Sequence, residues 1–201
     1  MPLKPYYNKS LIEAGCDEAG RGCLAGPVFA AAVILPHNYR NDELNDSKKL
    51  TRRQRIKLRK DIIDNALAWS IASCSNIEID EMNILRASIT AMHRAISGLK
   101  IKPDLLLIDG NRFYPFENIR HVTIVKGDAT YLSIAAASVL AKTERDMFME
   151  NIDSEYPVYG WKQNKGYPTL RHRKALKEHG VSPWHRMTFS LHDLQTELKF
   201  L

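Results

Sequence analysis

The sequence is poor in cysteine and has neither a long apolar run nor an internal repeat. Its three cysteines, Cys16, Cys23 and Cys74, are an odd number without paired spacing, which argues against a disulfide framework or a zinc site. No apolar run approaches the roughly 20 residues of a membrane-spanning helix, and the first residues lack the pattern of a secretory signal. These absences predict a cytoplasmic protein that does not enter the membrane.

What is present is the composition of a folded domain. The chain has 201 residues, of which 44% are hydrophobic and 26% are charged, values that exclude disorder over most of its length. A chain of this size forms one domain with a proper core and has room for a small appendage.

Positive charge is concentrated in two segments. Residues 47–60 contain eight cations and no acid, and residues 161–187 contain seven cations and one acid, interleaved with Trp161, Tyr167 and Trp184. Because the net charge is +6, the rest of the chain is net negative. Two basic strips on an acidic body are typical of a polyanion binder, although a charge run can also be the solvated face of a helix.

Hydrophobic periodicity predicts an α/β fold. Apolar runs at residues 11–16, 27–35, 66–75, 105–108 and 121–125 indicate strands, and helical spacing indicates helices over residues 52–65, 78–99 and 131–151. After residue 157 the composition becomes basic and is interrupted by glycine and proline. We predict a mixed sheet flanked by helices over residues 1–157 and a helical C-terminal extension, residues 158–201, that contacts substrate.

Acidic residues recur at the ends of the predicted strands. Asp17 and Glu18 follow the first strand, Asp109 ends the run 105–108, and Asp128 follows the run 121–125. Strand ends are where sites assemble in open α/β sheets, and carboxylates without neighbouring His or Cys suit Mg²⁺ or Mn²⁺. Taken singly, Asp109 could be a turn residue, Asp128 a helix cap and Glu18 a surface side chain.

Ordered sequence blocks carry a family resemblance. They are DEAGRGCLAGPV at residues 17–28, NDSKKL at 45–50, IDG at 108–110, VKGD at 125–128, IAAASVLAK at 134–142, KGY at 165–167 and HR at 185–186. Together they resemble the type 2 ribonucleases H (bacterial ribonuclease HII) over nearly the whole chain. The resemblance implies a ribonuclease-H-like fold.

The resemblance also implies an activity. Members of the family are endonucleases that hydrolyse the RNA strand of RNA–DNA hybrids and cut 5′ to single ribonucleotides embedded in duplex DNA, the opening step of ribonucleotide excision repair. The implied mechanism is two-metal-ion hydrolysis with Mn²⁺ or Mg²⁺, leaving 3′-hydroxyl and 5′-phosphate ends.

Site residues follow from the matching blocks. Asp17, Glu18, Asp109 and Asp128 would be the catalytic, metal-binding carboxylates. The backbone of Gly20, Arg21 and Gly22 would sense the 2′-hydroxyl of the substrate. Tyr167 would stack on the sugar at the RNA–DNA junction. Ser47 and Lys48 would bind phosphate. His185 and Arg186 would have a supporting role, and for His172, His179 and His185 we expect phosphate contact or solvation instead of zinc binding.

Two other functional interpretations stay open at this point. The basic strips alone would suffice for a non-catalytic nucleic-acid-binding protein, and a metal nuclease acting on DNA alone would also use the carboxylates. Nothing in the sequence demands more than a monomer. Residues 195–201, QTELKFL, are weakly similar to sliding-clamp tails, and an ordinary amphipathic helix end is the alternative.

Overall fold

Five strands form one mixed sheet with the order β3-β2-β1-β4-β5. The computed structural model describes residues 2–44 and 50–191, so Ser47, Lys48 and the segment 195–201 lie outside the described residues. The strands are β1 (Glu13–Ala19), β2 (Val28–Ile34), β3 (Ala68–Cys74), β4 (Leu105–Asp109) and β5 (Arg120–Ile124).

The central strand β1 determines where the acidic residues meet. It pairs antiparallel with β2 and parallel with β4, with Cys16 opposite Ile108, and β4 pairs parallel with β5. Parallel strands end at the same edge of a sheet. The carboxyl ends of β1, β4 and β5 therefore bring distant parts of the chain to one edge.

Helices cover both faces of the sheet. They are α1 (Arg52–Asn65), α2 (Asn76–Met82), α3 (Ile84–Ser97), α4 (Leu132–Asp153), α5 (Trp161–Asn164) and α6 (Leu170–His179). Helices α2 and α3 pack into the core on one face, and α1 and α4 into the core on the other. No helix in residues 2–44 and 50–191 is both long and apolar enough to cross a membrane.

Helix α4 lies unusually close to β1 because a glycine faces it. A Cβ added to Gly15 would stand 2.2 Å from the carbonyl carbon of Ser133, so any other residue would push helix and strand apart. The first half of α4, residues 132–141, is buried, as its apolar composition predicts. This close packing places the middle of α4 beside the end of β1.

Two predicted boundaries are wrong. The helix predicted over residues 78–99 is two helices, α2 and α3, separated at Asn83, whose φ of 70° is incompatible with a continuous helix. Strand β1 runs to Ala19, so Asp17 and Glu18 lie within the strand and not after it. Because successive strand residues face opposite sides of a sheet, these two side chains leave the strand in different directions.

The described part of the C-terminal segment, residues 158–191, contains the helices α5 and α6, as predicted, and packs onto the rest of the protein. Trp161, Tyr159 and Leu176 are buried in a cluster with Leu24 and Met149. The segment therefore shares a core with the loop after β1 and with α4. The boundary at residue 157 and the substrate contact of residues 158–201 stay predictions.

Candidate active site

Three of the predicted carboxylates interact with one another at the ends of β1 and β4. Asp17 is buried, and burial together with the negative charges of Glu18 and Asp109 raises the pKa of its carboxyl well above the usual range. Hydrogen bonds from the Ser138 hydroxyl and from the Glu18 backbone N–H, at 2.7 Å to Asp17 Oδ1, act in the opposite direction. The three carboxylates are thus close enough to repel one another. This repulsion and the burial of Asp17 make ionisation of its carboxyl unfavourable.

The fourth carboxylate is linked to this group through the backbone. Asp109 Oδ1 accepts a hydrogen bond of 2.7 Å from the Gly127 N–H. Asp128 follows Gly127 in a buried turn of 3₁₀ helix that comes after β5. The structure therefore brings Asp17, Glu18 and Asp109 into electrostatic contact and places Asp128 one residue from the partner of Asp109.

The donor set suits a hard divalent cation. Carboxylate oxygens are the ligands that Mg²⁺ and Mn²⁺ prefer, and a cation would offset the repulsion that raises the pKa of Asp17. Within the part of the chain that the structure describes, no three His, Cys, Asp or Glu side chains form a ready-made metal cage. The carboxylates instead accept hydrogen bonds from the chain itself, including one of 3.2 Å from Arg21 Nη1 to Glu18 Oε1.

A cavity of about 180 Å³ joins these acids to the predicted substrate-binding residues. Asp17, Glu18, Gly20, Arg21, Gly22 and Tyr167 all line it, although they come from distant parts of the sequence. The sequence analysis missed two further lining residues, Ser138 and Lys142. Their i, i+4 spacing on α4 places them on one helix face, which is the signal that could have identified them.

Tyr167 presents an aromatic ring at the side of this cavity. The residue is 39% exposed, and the ring centroid lies 5.7 Å from Lys142 Nζ and 5.9 Å from the Arg145 guanidinium carbon. Burial and the neighbouring Cys23 thiol, with which the hydroxyl forms a hydrogen bond, raise the pKa of Tyr167. A half-exposed aromatic ring with two cations near it is suited to contact with a nucleic-acid strand.

Two of the three histidines expected at phosphate or in solvent are instead buried. His172 and His185 are 0% and 1% exposed, and their Nε2 atoms are 3.1 Å apart. His179 is exposed, as predicted. The buried pair lies among Trp161 and Tyr159, so its role is internal.

The hydrogen bonds define the protonation of this histidine pair. Trp161 Nε1–H donates to His172 Nε2 at 3.0 Å, and the Ser182 N–H donates to His185 Nδ1 at 2.8 Å. His172 therefore carries its proton on Nδ1, which donates to the Tyr167 carbonyl at 3.0 Å, and His185 donates from Nε2 to His172. Burial lowers the pKa of both rings, that of His185 to about 4.

Most of the positively charged side chains on α1 are paired with acidic side chains. Five of its cations form ion pairs with acids: Arg52 with Glu150, Arg55 with Asp146, Lys57 with Glu43, Arg59 with Glu144 and Lys60 with Asp64. Much of this positive charge therefore serves to join α1 to its surroundings.

Comparisons with known proteins identify the family of the chain. The family model for Ribonuclease HII matches residues 14–192. Ribonuclease HII of Bacteroides thetaiotaomicron is 61% identical to this chain over 98% of it and 100% of the relative.

Solved structures show the same similarity. The ribonuclease H2 of Pyrococcus horikoshii OT3 has a TM-score of 0.75 and 28% identity, covering 90% of this chain and 94% of that one. The ribonuclease HII of Archaeoglobus fulgidus, solved in a complex with PCNA, has a TM-score of 0.75 and 27% identity, covering 89% and 95%. The chain therefore belongs to the ribonuclease HII family, the type 2 ribonucleases H, and is an endonuclease with the ribonuclease-H-like fold.

Proposed function

We propose that this endonuclease hydrolyses the RNA strand of RNA–DNA hybrids and cuts duplex DNA on the 5′ side of a single embedded ribonucleotide. One observation carries the proposal. The buried carboxylate of Asp17, with Glu18 beside it, lines the same cavity as residues 20–22 and Tyr167. A site for phosphodiester hydrolysis and a surface able to read a sugar are thereby brought together.

In this proposal Asp17, Glu18, Asp109 and Asp128 hold two Mg²⁺ or Mn²⁺ ions. Such ions, when bound, supply an activated water and charge stabilisation at the leaving oxygen of the phosphodiester. The Ser138 hydroxyl orients Asp17 through its hydrogen bond. The Gly127 N–H orients Asp109 in the same way. The carboxylates of Asp17 and Asp109 are therefore held in a fixed orientation before substrate binds.

The substrate-binding roles follow from position. The backbone of residues 20–22 lies beside the carboxylates, where it can reach a 2′-hydroxyl, the group that distinguishes RNA from DNA. The ring of Tyr167 lines the same cavity and stacks on the neighbouring deoxyribose. For Ser47 and Lys48, outside the described residues, phosphate binding rests on the family resemblance alone.

The test uses a labelled DNA duplex that carries one ribonucleotide, incubated with Mg²⁺, with Mn²⁺ and with a chelator. An all-DNA duplex of the same sequence is the control. We expect metal-dependent cleavage 5′ to the ribonucleotide, products with 3′-hydroxyl and 5′-phosphate ends, and an intact control. Equal cleavage of both duplexes would contradict the proposed selectivity, and binding without cleavage under every condition would favour a nucleic-acid-binding role.

A sliding clamp is a second proposed partner. The Archaeoglobus fulgidus relative was solved in a complex with PCNA, and residues 195–201 of this chain are weakly similar to clamp-binding tails. Deletion of residues 195–201 should then abolish co-elution with a bacterial sliding clamp while leaving cleavage of a short duplex unchanged. Monomeric state and cytoplasmic location stay predictions from the sequence.

A further inference from the structure

Two buried arginines hold the loop that follows β1. We call residues 20–26 the glycine loop. Arg145, from α4, and Arg186, near the end of the described chain, are both 0% exposed. Burying a guanidinium is costly unless its donors are satisfied, and here the six N–H···O contacts of the two side chains all go to main-chain carbonyls.

Arg186 holds both ends of the glycine loop. Its Nη2, Nη1 and Nε donate to the carbonyls of Gly20, Arg21 and Gly26 at 2.8, 2.9 and 2.9 Å. Burial lowers the pKa of this guanidinium to about 10, so it keeps its charge at neutral pH. The planar fork of an arginine can satisfy three carbonyls at fixed angles, which a lysine cannot.

These contacts determine which way the loop amides face. The peptide bonds of the described residues are all trans, and in a trans peptide the C=O of one residue and the N–H of the next point in opposite directions. Because the carbonyls of Gly20 and Arg21 point towards Arg186, the N–H groups of Arg21 and Gly22 point away from it. The same residues line the cavity that contains Asp17 and Glu18.

Arg145 joins the glycine loop to the segment that carries Tyr167. Its Nη2 and Nε donate to the carbonyls of Ala25 and Pro27, and its Nη1 donates to the carbonyl of Lys165 at 2.8 Å. The fit is close, because a Cβ on Gly20, whose φ is 99°, would stand 2.0 Å from Arg145 Nε. One side chain thus fixes the distance between the two proposed substrate-binding segments.

We propose that Arg145 and Arg186 are positioning residues that set the selectivity of this enzyme for ribonucleotides. Arg186 orients the Arg21 and Gly22 amides towards the 2′-hydroxyl, and Arg145 fixes Tyr167 relative to them. The inference rests on the proposed function, since it concerns how that same site distinguishes the sugar.

The test compares Arg186→Lys and Arg145→Lys with Arg94→Lys as a matched control. Arg94 also donates to a main-chain carbonyl, that of Ser73, but it lies on α3 away from the glycine loop. Circular dichroism first establishes a temperature at which all variants are folded. Cleavage of the single-ribonucleotide duplex is then measured, and binding to that duplex and to all-DNA is compared in an Asp109→Asn background.

For Arg186→Lys we expect kcat to fall by about 10- to 100-fold with KM within about threefold, because orientation at the reacting centre is lost while phosphate contacts remain. The preference in Kd for the ribonucleotide duplex over all-DNA should fall at least about fivefold, with all-DNA binding unchanged. Arg145→Lys should show the same pattern, and Arg94→Lys should match the unsubstituted enzyme.

Several outcomes separate the two proposals. Folded Arg186→Lys and Arg145→Lys enzymes with unchanged kcat and unchanged preference would overturn the positioning role. A parallel loss of binding to both duplexes would also overturn it, since that pattern marks a purely structural contribution. An unsubstituted enzyme that does not cut at the ribonucleotide would overturn the proposed function instead.

Amide hydrogen exchange of the unsubstituted protein gives a readout that needs no variant to fold. Binding of the ribonucleotide duplex with Ca²⁺ should slow exchange at Arg21 and Gly22, and the all-DNA duplex should leave it unchanged. Equal exchange in the two complexes would contradict the assigned orientation of these amides.

Discussion

Asp104 directly precedes strand β4 and Asp109 is its last residue, and the two make similar hydrogen bonds. Each accepts one from a backbone N–H, Asp104 from Ile12 at 2.9 Å and Asp109 from Gly127 at 2.7 Å. Only Asp109 adds its charge to the field around Asp17. A comparison of Asp104 with Asp109 therefore distinguishes the effect of a carboxylate's charge on Asp17 from the effect of its hydrogen bond to the backbone.

Asp109→Asn should lower kcat for the single-ribonucleotide duplex by about 100-fold or more, because it removes the charge of a proposed metal ligand while the amide oxygen can still accept from Gly127. Substrate affinity should change little. The matched variant Asp104→Asn should cleave at the normal rate. Steady-state kinetics and a binding assay of both variants check this, and near-normal turnover by Asp109→Asn would refute the metal assignment.

Tyr167 offers two separable contacts, its ring and its hydroxyl. Tyr167→Ala should reduce cleavage at the RNA–DNA junction about tenfold, equivalent to about 1.4 kcal/mol, because it removes the ring that is proposed to stack on the neighbouring deoxyribose. Tyr167→Phe keeps the ring and loses only the hydrogen bond with Cys23, so it should stay within about threefold of normal. Cleavage rates for the two variants at one junction substrate test this, and equal losses would assign the effect to the hydroxyl.

At the scale of elements, the break between α2 and α3 depends on Asn83. Its φ of 70° lies in the left-handed region, and its Oδ1 accepts hydrogen bonds from the Leu85 and Arg86 amides. Asn83→Ala should destabilise the fold by about 2 kcal/mol, because it loses the cap and adds backbone strain.

Asn83→Gly is the informative control, since glycine adopts positive φ freely and loses only the cap. Its loss should be below about 1 kcal/mol. Denaturant unfolding of both variants measures the difference, and equal losses would mean that the backbone at residue 83 is unstrained.

The same break shows what the sequence could and could not reveal about the elements. Apolar spacing correctly predicted helical residues on both sides of Asn83. A single Asn inside an amphipathic pattern does not, however, indicate that its φ is positive. The strand positions were predicted because β2 and β4 are runs of buried apolar residues. The end of β1 was not, because Asp17 and Glu18 are charged residues within the strand, where apolar patterning gives no signal.

The residues that the structure brings together around the cavity were indicated by the sequence where family blocks contain them, and less so elsewhere. The sequence indicated the acids, the glycine loop and Tyr167. It did not indicate the burial of His172 and His185 or the carbonyls held by Arg186, because these depend on contacts between residues more than 100 positions apart or on the packing of the C-terminal segment.

At the scale of the whole molecule, the buried histidine pair makes stability depend on pH. The folded-state pKa of His185 is about 4, below the ordinary value of about 6.5. Between these values the unfolded chain binds more protons than the folded chain. The free energy of unfolding therefore rises as pH increases through this interval and falls as pH decreases through it. His172, whose pKa is also lowered, acts in the same direction.

We expect the free energy of unfolding to be lower by about 2 to 3 kcal/mol at pH 4.5 than at pH 7 from this pair. Urea unfolding across that range measures the loss. His185→Gln should flatten the dependence, since it removes one of the two titrating rings. An unchanged slope in that variant would show that other groups control the response to acid.

Arg186 and the Gly20 carbonyl that it holds are 166 positions apart in the chain, and this separation has a consequence for biosynthesis. At roughly 5–20 residues per second, a ribosome needs about 8 to 30 seconds to make the intervening chain. At the start of that interval the nascent chain contains only Asp17 and Glu18 of the four acids. Asp109 and Asp128 are added during it, and Arg186 comes last. A chain interrupted before Arg186 would lack all three hydrogen bonds from this side chain to residues 20–26. The loop beside Asp17 and Glu18 therefore gains these contacts only when synthesis nears its end.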